Sequence, residues 1–412
     1  MAQVNITLNQ EEILQLFKED TREAFRRLIT KSLNSILKAE SQEQLKAEPY
    51  ERTLERTDSR NGTRDRELKT SIGTITLRVP RHRNQPFKTM IFENYCRSDA
   101  ALIAGMAEMV VNGVSTRKVS RIMETLCGTS YSKSAVSELC KELDKGVEEF
   151  RNRPLTGEYP FLTVDAAYFS VRENNRTVKK PLMIAYGSNE QGYREVLGFQ
   201  VFSSESAKTW EDFLHGLKKR GLTGLLMVTS DAHGGIIQAV GKVYPEVPWQ
   251  RCQFHFSKNI LDDTPKKYQA GLGSELQEMF NARTLEDARK KRNSIIADYK
   301  DVAEKAMECL DDGFESSMTV MALPRGIQRY YRTSNHIERL NRELKRRSKV
   351  IGVFPNETSL VRLMGSVLIE LNENRQTGRK IYSEKSYKAL LNDRLKNKLK
   401  LIAAEQQRSF AA

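Results

Sequence analysis

The sequence predicts a multidomain α+β protein, on three observations. Apolar residues recur at three- and four-residue steps towards both ends of the chain. A block of short strand-like runs occupies residues 161–251. A purely helical stretch, 257–323, separates that block from a strongly basic helix. The 412 residues leave room for two to four domains with buried cores.

The elements follow in order. Residues 1–57 form an N-terminal helical region: Asn9, with Glu12 three residues on, can open a helix. Ile13, Leu14, Phe17, Phe25, Leu28, Ile29, Leu33, Ile36 and Leu37 continue it at helical spacing, as one or two helices. Residues 58–97 form a basic β-element. Ile75, Leu77 and Val79, preceded by Ile72 and Gly73, have a period of two, and seven Arg or Lys between residues 60 and 83 face two acids. Arg78, Arg81 and Arg83 suit a phosphate backbone; a solvated charged hairpin is the plainer alternative. Residues 98–150 read as a helix-turn-helix region, with Ser115 and Ser132 as N-caps. Its second helix would present Lys133, Ser134, Ser137 and Glu138 to a DNA groove, with Arg117 and Lys118 on the first helix as further DNA contacts. Helical hairpins that never touch DNA share this pattern.

Arg153-Pro154 and Gly157 to Pro160 mark a boundary, after which residues 151–256 become α/β. FLTVDAAYFSV, PLMIAYGS and REVLGFQVF are strand-like runs joined by short polar turns, as an antiparallel meander requires. A helix, a buried strand ending at Asp231, a second helix and a short strand at PWQRCQF come next. This is the element order of a ribonuclease-H-like core, in which the strand ending at Asp231 lies beside the one carrying Asp165. Residues 257–323 are an all-helical insertion, in which Thr284 caps and Leu285, Ile295, Ile296, Val302, Ala306 and Leu310 pack. Residues 324–375 return to the core with a basic helix, and residues 376–412 form a Lys-rich helical tail.

Composition narrows the partners. Charged residues make up 29% and the net charge is +14, which favours a polyanion such as DNA, because Lys and Arg that neutralise phosphates release counterions. A basic protein with no nucleic-acid role has a similar balance. No run approaches the ~18 apolar residues of a membrane span, and Glu11 and Glu12 stand where a signal peptide needs its apolar centre. No membrane partner and a cytoplasmic, nucleoid-associated location are therefore expected. Five scattered cysteines, none spaced C-x-x-C, point to reduced thiols.

Chemistry concentrates at three acids. Asp165 interrupts an apolar strand, where an uncompensated carboxylate is costly. Asp231, 66 residues later, ends another such strand before Gly234-Gly235. Strand-end aspartates often only cap the next helix, but two on adjacent strands can hold a hard divalent cation. Glu338 follows 107 residues on, in a helix with Thr333 or Ser334 as its cap, and Arg342, Lys345 and Lys349 share its face. Nine Arg or Lys against two Glu between Arg325 and Lys349, with Arg339 and Arg346 among them, suit a surface lying along DNA. Three carboxylates beside such a strip meet the needs of two-metal phosphodiester chemistry, with ions about 3.5–4 Å apart. Mg²⁺ is the expected ion, two per site, with Mn²⁺ as a substitute.

The strings TVDAAYF, SDAHGGI, RCQFH and TSNHIERLNRELKRRSKVIGVFPN, together with GTITLRVPRHR and NGVSTRKVSRIMETLCG upstream, resemble the mutator-type family of bacterial insertion-sequence transposases. The resemblance covers most of residues 55–365. It implies that Asp165, Asp231 and Glu338 are a catalytic triad on a ribonuclease-H-like core, that the protein binds terminal inverted repeats, and that transposition runs through a circular intermediate, copy-out and paste-in. Relatives often have glycine after each aspartate, where this chain has Ala166 and Ala232. Cys252 and His255 match the family's C-x-x-H signature; they are two zinc ligands where four are usual, or a packed thiol with a hydrogen-bonded histidine. His233 and His336, each two residues from a triad acid, are further candidates near the site, to contact phosphate or order a carboxylate. Trp210 and Trp249 suit the core, with base stacking open to Trp249. Strand transfer must hold two ends together, so a homodimer on double-stranded DNA is expected. The competing activities are a metal-dependent nuclease or junction resolvase, which cuts without joining, and a non-enzymatic DNA-binding regulator.

Overall fold

The computed structural model describes residues 21–51, 53, 55–70, 73–89, 100–127, 131–376 and 380–411. The expected Asn9–Glu12 cap with Ile13, Leu14 and Phe17, and the strand residue Ile72, lie outside them. The fold is mixed α+β in two compact units, Met1–Glu142 and Leu143–Ala412.

In the first unit, one continuous helix, α1 (Thr21–Leu45), lies on an antiparallel hairpin of β1 (Arg60–Thr70) and β2 (Gly73–His82). The stripe Ile29, Leu33 and Leu37 packs on Leu68, Ile75, Leu77 and Val79, so alternate β2 side chains face the helix while Thr76 and Arg78 face outward. Asp58 ties the base of the hairpin. Its carboxylate accepts N–H groups from Gln85, Asn84 and Ser59, and these bonds hold it down to about 2. Helices α2 (Ala100–Val111), α3 (Thr116–Cys127) and α4 (Lys133–Leu139) share a small core of Met106, Val119, Met123, Tyr131, Val136 and Cys140. Ser132 caps α4 by accepting the Ala135 N–H at 3.0 Å. The short α4 runs into a 3₁₀ turn, Cys140–Glu142.

The two units divide eight residues before the expected boundary at residue 150. Helix α5 (Leu143–Asn152) belongs to the second unit, where Val147 is buried and Asp144 accepts two 2.7 Å bonds from Arg362 of helix α14 (Glu357–Gln376). Gly365 permits that approach: a Cβ there would stand 2.5 Å from Val147 Cγ1 and 2.9 Å from Phe199 Cζ.

The sheet of the second unit contains β3 (Phe161–Glu173), β4 (Arg176–Ser188), β5 (Arg194–Val201), β6 (Met227–Ser230) and β7 (Trp249–Arg251). Its order is β5-β4-β3-β6-β7, with β3, β4 and β5 antiparallel and with β6 and β7 parallel to β3. Helices α6 (Ala207–Lys219) and α7 (Gly234–Val243) cover one face, where Trp210, Phe213, Leu214, Ile236 and Val240 meet Leu162, Val164, Met183 and Val228. On the other face Phe161 stacks on Tyr331 of α12 (Arg325–Tyr331) at 3.8 Å, and His336 of α13 (Asn335–Ser348) reaches Thr163.

Residues 253–317 are helical, as α8 (Gln253–Asp262), α9 (Lys266–Phe280), α10 (Leu285–Tyr299) and α11 (Glu304–Ser317), around their own core of Phe256, Ile260, Leu272, Leu276, Ile295, Leu310 and Phe314. Thr284 caps α10, accepting the Asp287 N–H. Val302, expected to pack, is 39% exposed because it falls in the turn before α11.

Residues 380–411 are not a free tail. Leu390 of α15 (Glu384–Leu390) and Leu399 of α16 (Asp393–Ala411) are buried. The Gln406 amide also accepts from Trp249 N–H and donates to Trp249 C=O, both at 2.8 Å. These bonds satisfy the outer edge of β7. Among the described residues no helix is long and apolar enough to cross a membrane.

Candidate active site

The acids meet where β6 ends. The last β3–β6 pair is Thr163 with Thr229, so two more steps along the same parallel register bring Asp165 level with Asp231. Adjacent strands are about 4.8 Å apart, which confronts two carboxylates. Asp165 Oδ1 accepts the Ala166 N–H at 2.8 Å and Oδ2 accepts from Asn341 Nδ2 at 2.7 Å. Burial, then the neighbouring Asp231, pushes the Asp165 carboxyl up to about 7; Ala166 N–H and His255 oppose the rise, and Glu338 adds to it.

Asp231 turns the chain into α7, its Oδ1 3.4 Å from the His233 N–H. Glycine is needed at 235, where a Cβ would stand 2.9 Å from the Ala207 backbone nitrogen at the start of α6.

Glu338 lies in the first turn of α13. Ser334 occupies the N-cap position there without capping. Its hydroxyl instead stands 3.1 Å from both Cys252 Sγ and Glu338 Oε1, and its N–H donates to Cys252 Sγ at 3.3 Å. His255 Nε2 is 3.6 Å from Glu338 Oε1. The sulfur beside the ring raises the His255 imidazole to about 9 against the effect of burial, with Glu338 and Asp231 contributing. Burial works against ionising Cys252, but His255 and Ser334 outweigh it and hold the thiol below its ordinary range. Cys252, His255 and Glu338 bring ligand atoms within 4.8 Å of one another, the one such trio among the described residues. Glu338 thus shares the neighbourhood of the two aspartates while its carboxylate is turned to His255 and Ser334.

The remaining candidate residues either have partners of their own or stand exposed. His336 is buried, with Nε2 2.9 Å from Thr163 Oγ1 and its ring 5.3 Å from that of Tyr186, because its helical position faces the sheet. His233 faces Glu205, with Nδ1 3.7 Å from Oε1. Trp249 is 3% exposed and donates to Ser230 Oγ at 2.9 Å, so it is closed to base stacking. Within the basic strip, Arg339, Arg342, Lys345 and Lys349 are exposed, but Arg346 is held by Glu343 in two bonds of 2.6 and 2.7 Å. Arg347 is buried between Glu343 and Glu370 and cannot reach DNA. In the first unit Arg78, Arg81, Arg83, Arg117, Lys118, Ser134 and Ser137 are exposed; the side chain of Lys133 lies outside the described ones.

Sequence reasoning missed Asn341 and read Ser334 only as a possible cap, not as a partner of Glu338. Both lie one helical turn from Glu338, and that spacing is the signal that reveals them.

A family model described as "Transposase, Mutator family" matches residues 1–378. The chain is 41% identical over 391 residues to the transposase for insertion sequence element IS256 in transposon Tn4001 of Staphylococcus aureus, covering 94% of this chain and 99% of the relative. It is 38% identical to the transposase for insertion sequence element ISRM5 of Rhizobium meliloti, over 85% of this chain and 88% of the relative. It is 37% identical to the transposase for insertion sequence element IS1081 of Mycobacterium tuberculosis, over 86% of each. With the model spanning most of the chain and relatives aligned over nearly their full length, the chain belongs to the Mutator family of transposases.

Proposed function

We propose that this chain binds the terminal inverted repeats of an insertion sequence and catalyses metal-dependent cleavage and transfer of DNA strands at Asp165, Asp231 and Glu338. The observation that carries the reading is the confrontation of Asp165 and Asp231 across β3 and β6, which adds to the effect of burial in raising the Asp165 carboxyl to about 7. A half-buried acid held at such a disadvantage is a functional-site signal. The sheet order, three antiparallel strands followed by two parallel to the first, supports a ribonuclease-H-like core. α3 and α4 are consistent with a helix-turn-helix.

The donor set fits hard divalent cations: carboxylate oxygens confront each other, and Asp165 Oδ2 is already oriented by Asn341. Two Mg²⁺ ions would be held by Asp165, Asp231 and Glu338, activating the attacking oxygen and stabilising the leaving one. The chain's own residues do the rest. Asn341 fixes the Asp165 rotamer, and Ser334 with His255 restrains Glu338. The exposed Arg339, Arg342, Lys345 and Lys349 neutralise phosphates along α13. Cleavage forms a P–O bond to water and releases a 3′-hydroxyl; joining forms a P–O bond to that hydroxyl and releases the target strand's oxygen. One site serves both displacements. Handling two ends calls for a dimer on DNA, and the family resemblance favours a copy-out, paste-in route.

The test measures Mg²⁺-dependent nicking, joining of a pre-cut end to plasmid, and gel-shift affinity for Asp165→Asn, Asp231→Asn and Glu338→Gln. Each variant should lose both reactions and keep end binding, because affinity comes from distant cations. Nicking at the wild-type rate by Glu338→Gln would remove the third ligand. Cutting without joining by the wild type would make the protein a nuclease.

A further inference from the structure

Tyr168 is an exposed aromatic ring that is held still. On β3 its neighbours Ala167 and Phe169 are buried, whereas Tyr168 is 47% exposed. Its hydroxyl donates to Glu205 Oε2. The Glu205 side chain is only 10% exposed, and its other oxygen accepts from Nε1 of the fully buried Trp210 at 3.1 Å. The ring is thus anchored through a buried carboxylate to the hydrophobic core, and a ligand that covers it has little side-chain freedom left to remove. Phe254, 48% exposed beside His255, has no polar group through which it could be anchored in this way.

Its location says what that ligand is. Tyr168 lies three residues beyond Asp165, roughly 10 Å along the strand and on the opposite face. The pairing of β3 with β6 has ended by then, and the charge of Asp231 reaches the phenol. With the Glu205 carboxylate at its hydroxyl and the negative charge of Asp231 added to it, the ring repels a phosphate. Its uncharged face suits a flat, neutral group that arrives with a polyanion whose phosphates are held elsewhere, on the exposed row Arg342, Lys345 and Lys349. A nucleobase opened from the duplex meets that description, and aromatic stacking accepts any base.

We propose that Tyr168 is the stacking platform for an unpaired nucleobase beside the strand being cut, and thereby positions the scissile phosphate at the acids. The inference rests on the DNA-cleaving reading above. It makes Tyr168 a positioning residue: substitution should change the DNA concentration needed for reaction and leave the Mg²⁺ requirement unchanged.

The test uses the full-length protein and an end duplex carrying 5-iodouracil singly at each position across the cleavage point. Photo-cross-linking followed by peptide mapping should join Tyr168 to one or two adjacent positions. In parallel, the DNA concentration for half-maximal nicking is measured for Tyr168→Phe and Tyr168→Leu. The Phe variant, which keeps the ring, should stay within about twofold of wild type, and the Leu variant should need about tenfold more DNA. Absence of a Tyr168 cross-link together with a wild-type Leu variant overturns the proposal. A Phe variant as impaired as Leu also overturns it, because the bond to Glu205 rather than the ring would then matter. A wild-type protein that neither binds nor nicks end DNA would instead sink the cleavage reading on which the inference rests.

Discussion

Asp165→Asn should make the metal-free protein more stable while abolishing its chemistry. Burial and Asp231 move the Asp165 carboxyl from its ordinary 3.8 to about 7, which corresponds to roughly 4 kcal/mol of penalty on the ionised form. Because the folded-state value is the higher one, wild-type stability is fully present below pH 4 and is lost as pH rises towards 7. An amide avoids the penalty at a smaller cost. Oδ1 and Oδ2 of Asp165 accept from Ala166 and Asn341, and an Asn side chain has only one oxygen, so one bond worth about 1 kcal/mol is at risk. Asn341 Oδ1 is buried without a partner, so a flipped Asn341 amide can recover part of that loss. The net expectation is a gain of about 2–3 kcal/mol above pH 7, shrinking towards pH 4. Chemical denaturation with EDTA at pH 4.5, 6 and 8 measures it. Mg²⁺ should then stabilise the wild type and leave the variant unchanged. A variant no more stable than wild type at pH 8, or one with the same advantage at pH 4.5, would refute the electrostatic argument.

Other outcomes rest on the same contacts. Since metal binding must displace the Asp165 proton, half-saturating Mg²⁺ for nicking should fall about tenfold per pH unit up to about 7 and then level off; an unchanged requirement between pH 6 and 8 counts against Asp165 as a ligand. Arg347→Met leaves Glu343 and Glu370 facing each other without their shared cation and should cost roughly 3 kcal/mol, whereas Arg346→Ala, on the exposed side of α13, should leave stability nearly unchanged. Equal losses in denaturation would show that burial does not distinguish the two arginines. Ser334→Ala frees Glu338 from its hydroxyl partner and should raise the Mg²⁺ requirement several-fold without altering gel-shift affinity for ends; a change in DNA affinity alone would show that Ser334 acts elsewhere.

The sequence by itself determined what local periodicity and composition can express. The runs FLTVDAAYFSV, PLMIAYGS and REVLGFQVF fall on β3, β4 and β5, since alternation and β-branched residues act over a few positions, but β4 begins five residues earlier, at Arg176, in what reads as a polar turn. The helical block separated itself because no strand pattern interrupts it. Asp165 was visible because a carboxylate within an apolar strand needs a compensating partner, and Glu338 because a basic face lines up behind it.

Only tertiary structure decided which helical side chains face the protein and which face solvent. Arg346 and Arg347 are adjacent and chemically identical, yet one is exposed and the other is clamped by Glu370 from a helix 23 residues further on. His336 is two residues from Glu338, but that spacing turns it towards Thr163. Helix α5 and the C-terminal α16 read as parts of a DNA-binding region and of a basic tail until Arg362 and Trp249 supply their partners. The same holds for Cys252, Ser334 and His255: their grouping around Glu338 spans 86 residues of chain, and no local pattern encodes it. Periodicity reports the free energy of burying a face, whereas the partner that meets that face is set by how strands and helices pack across the whole unit.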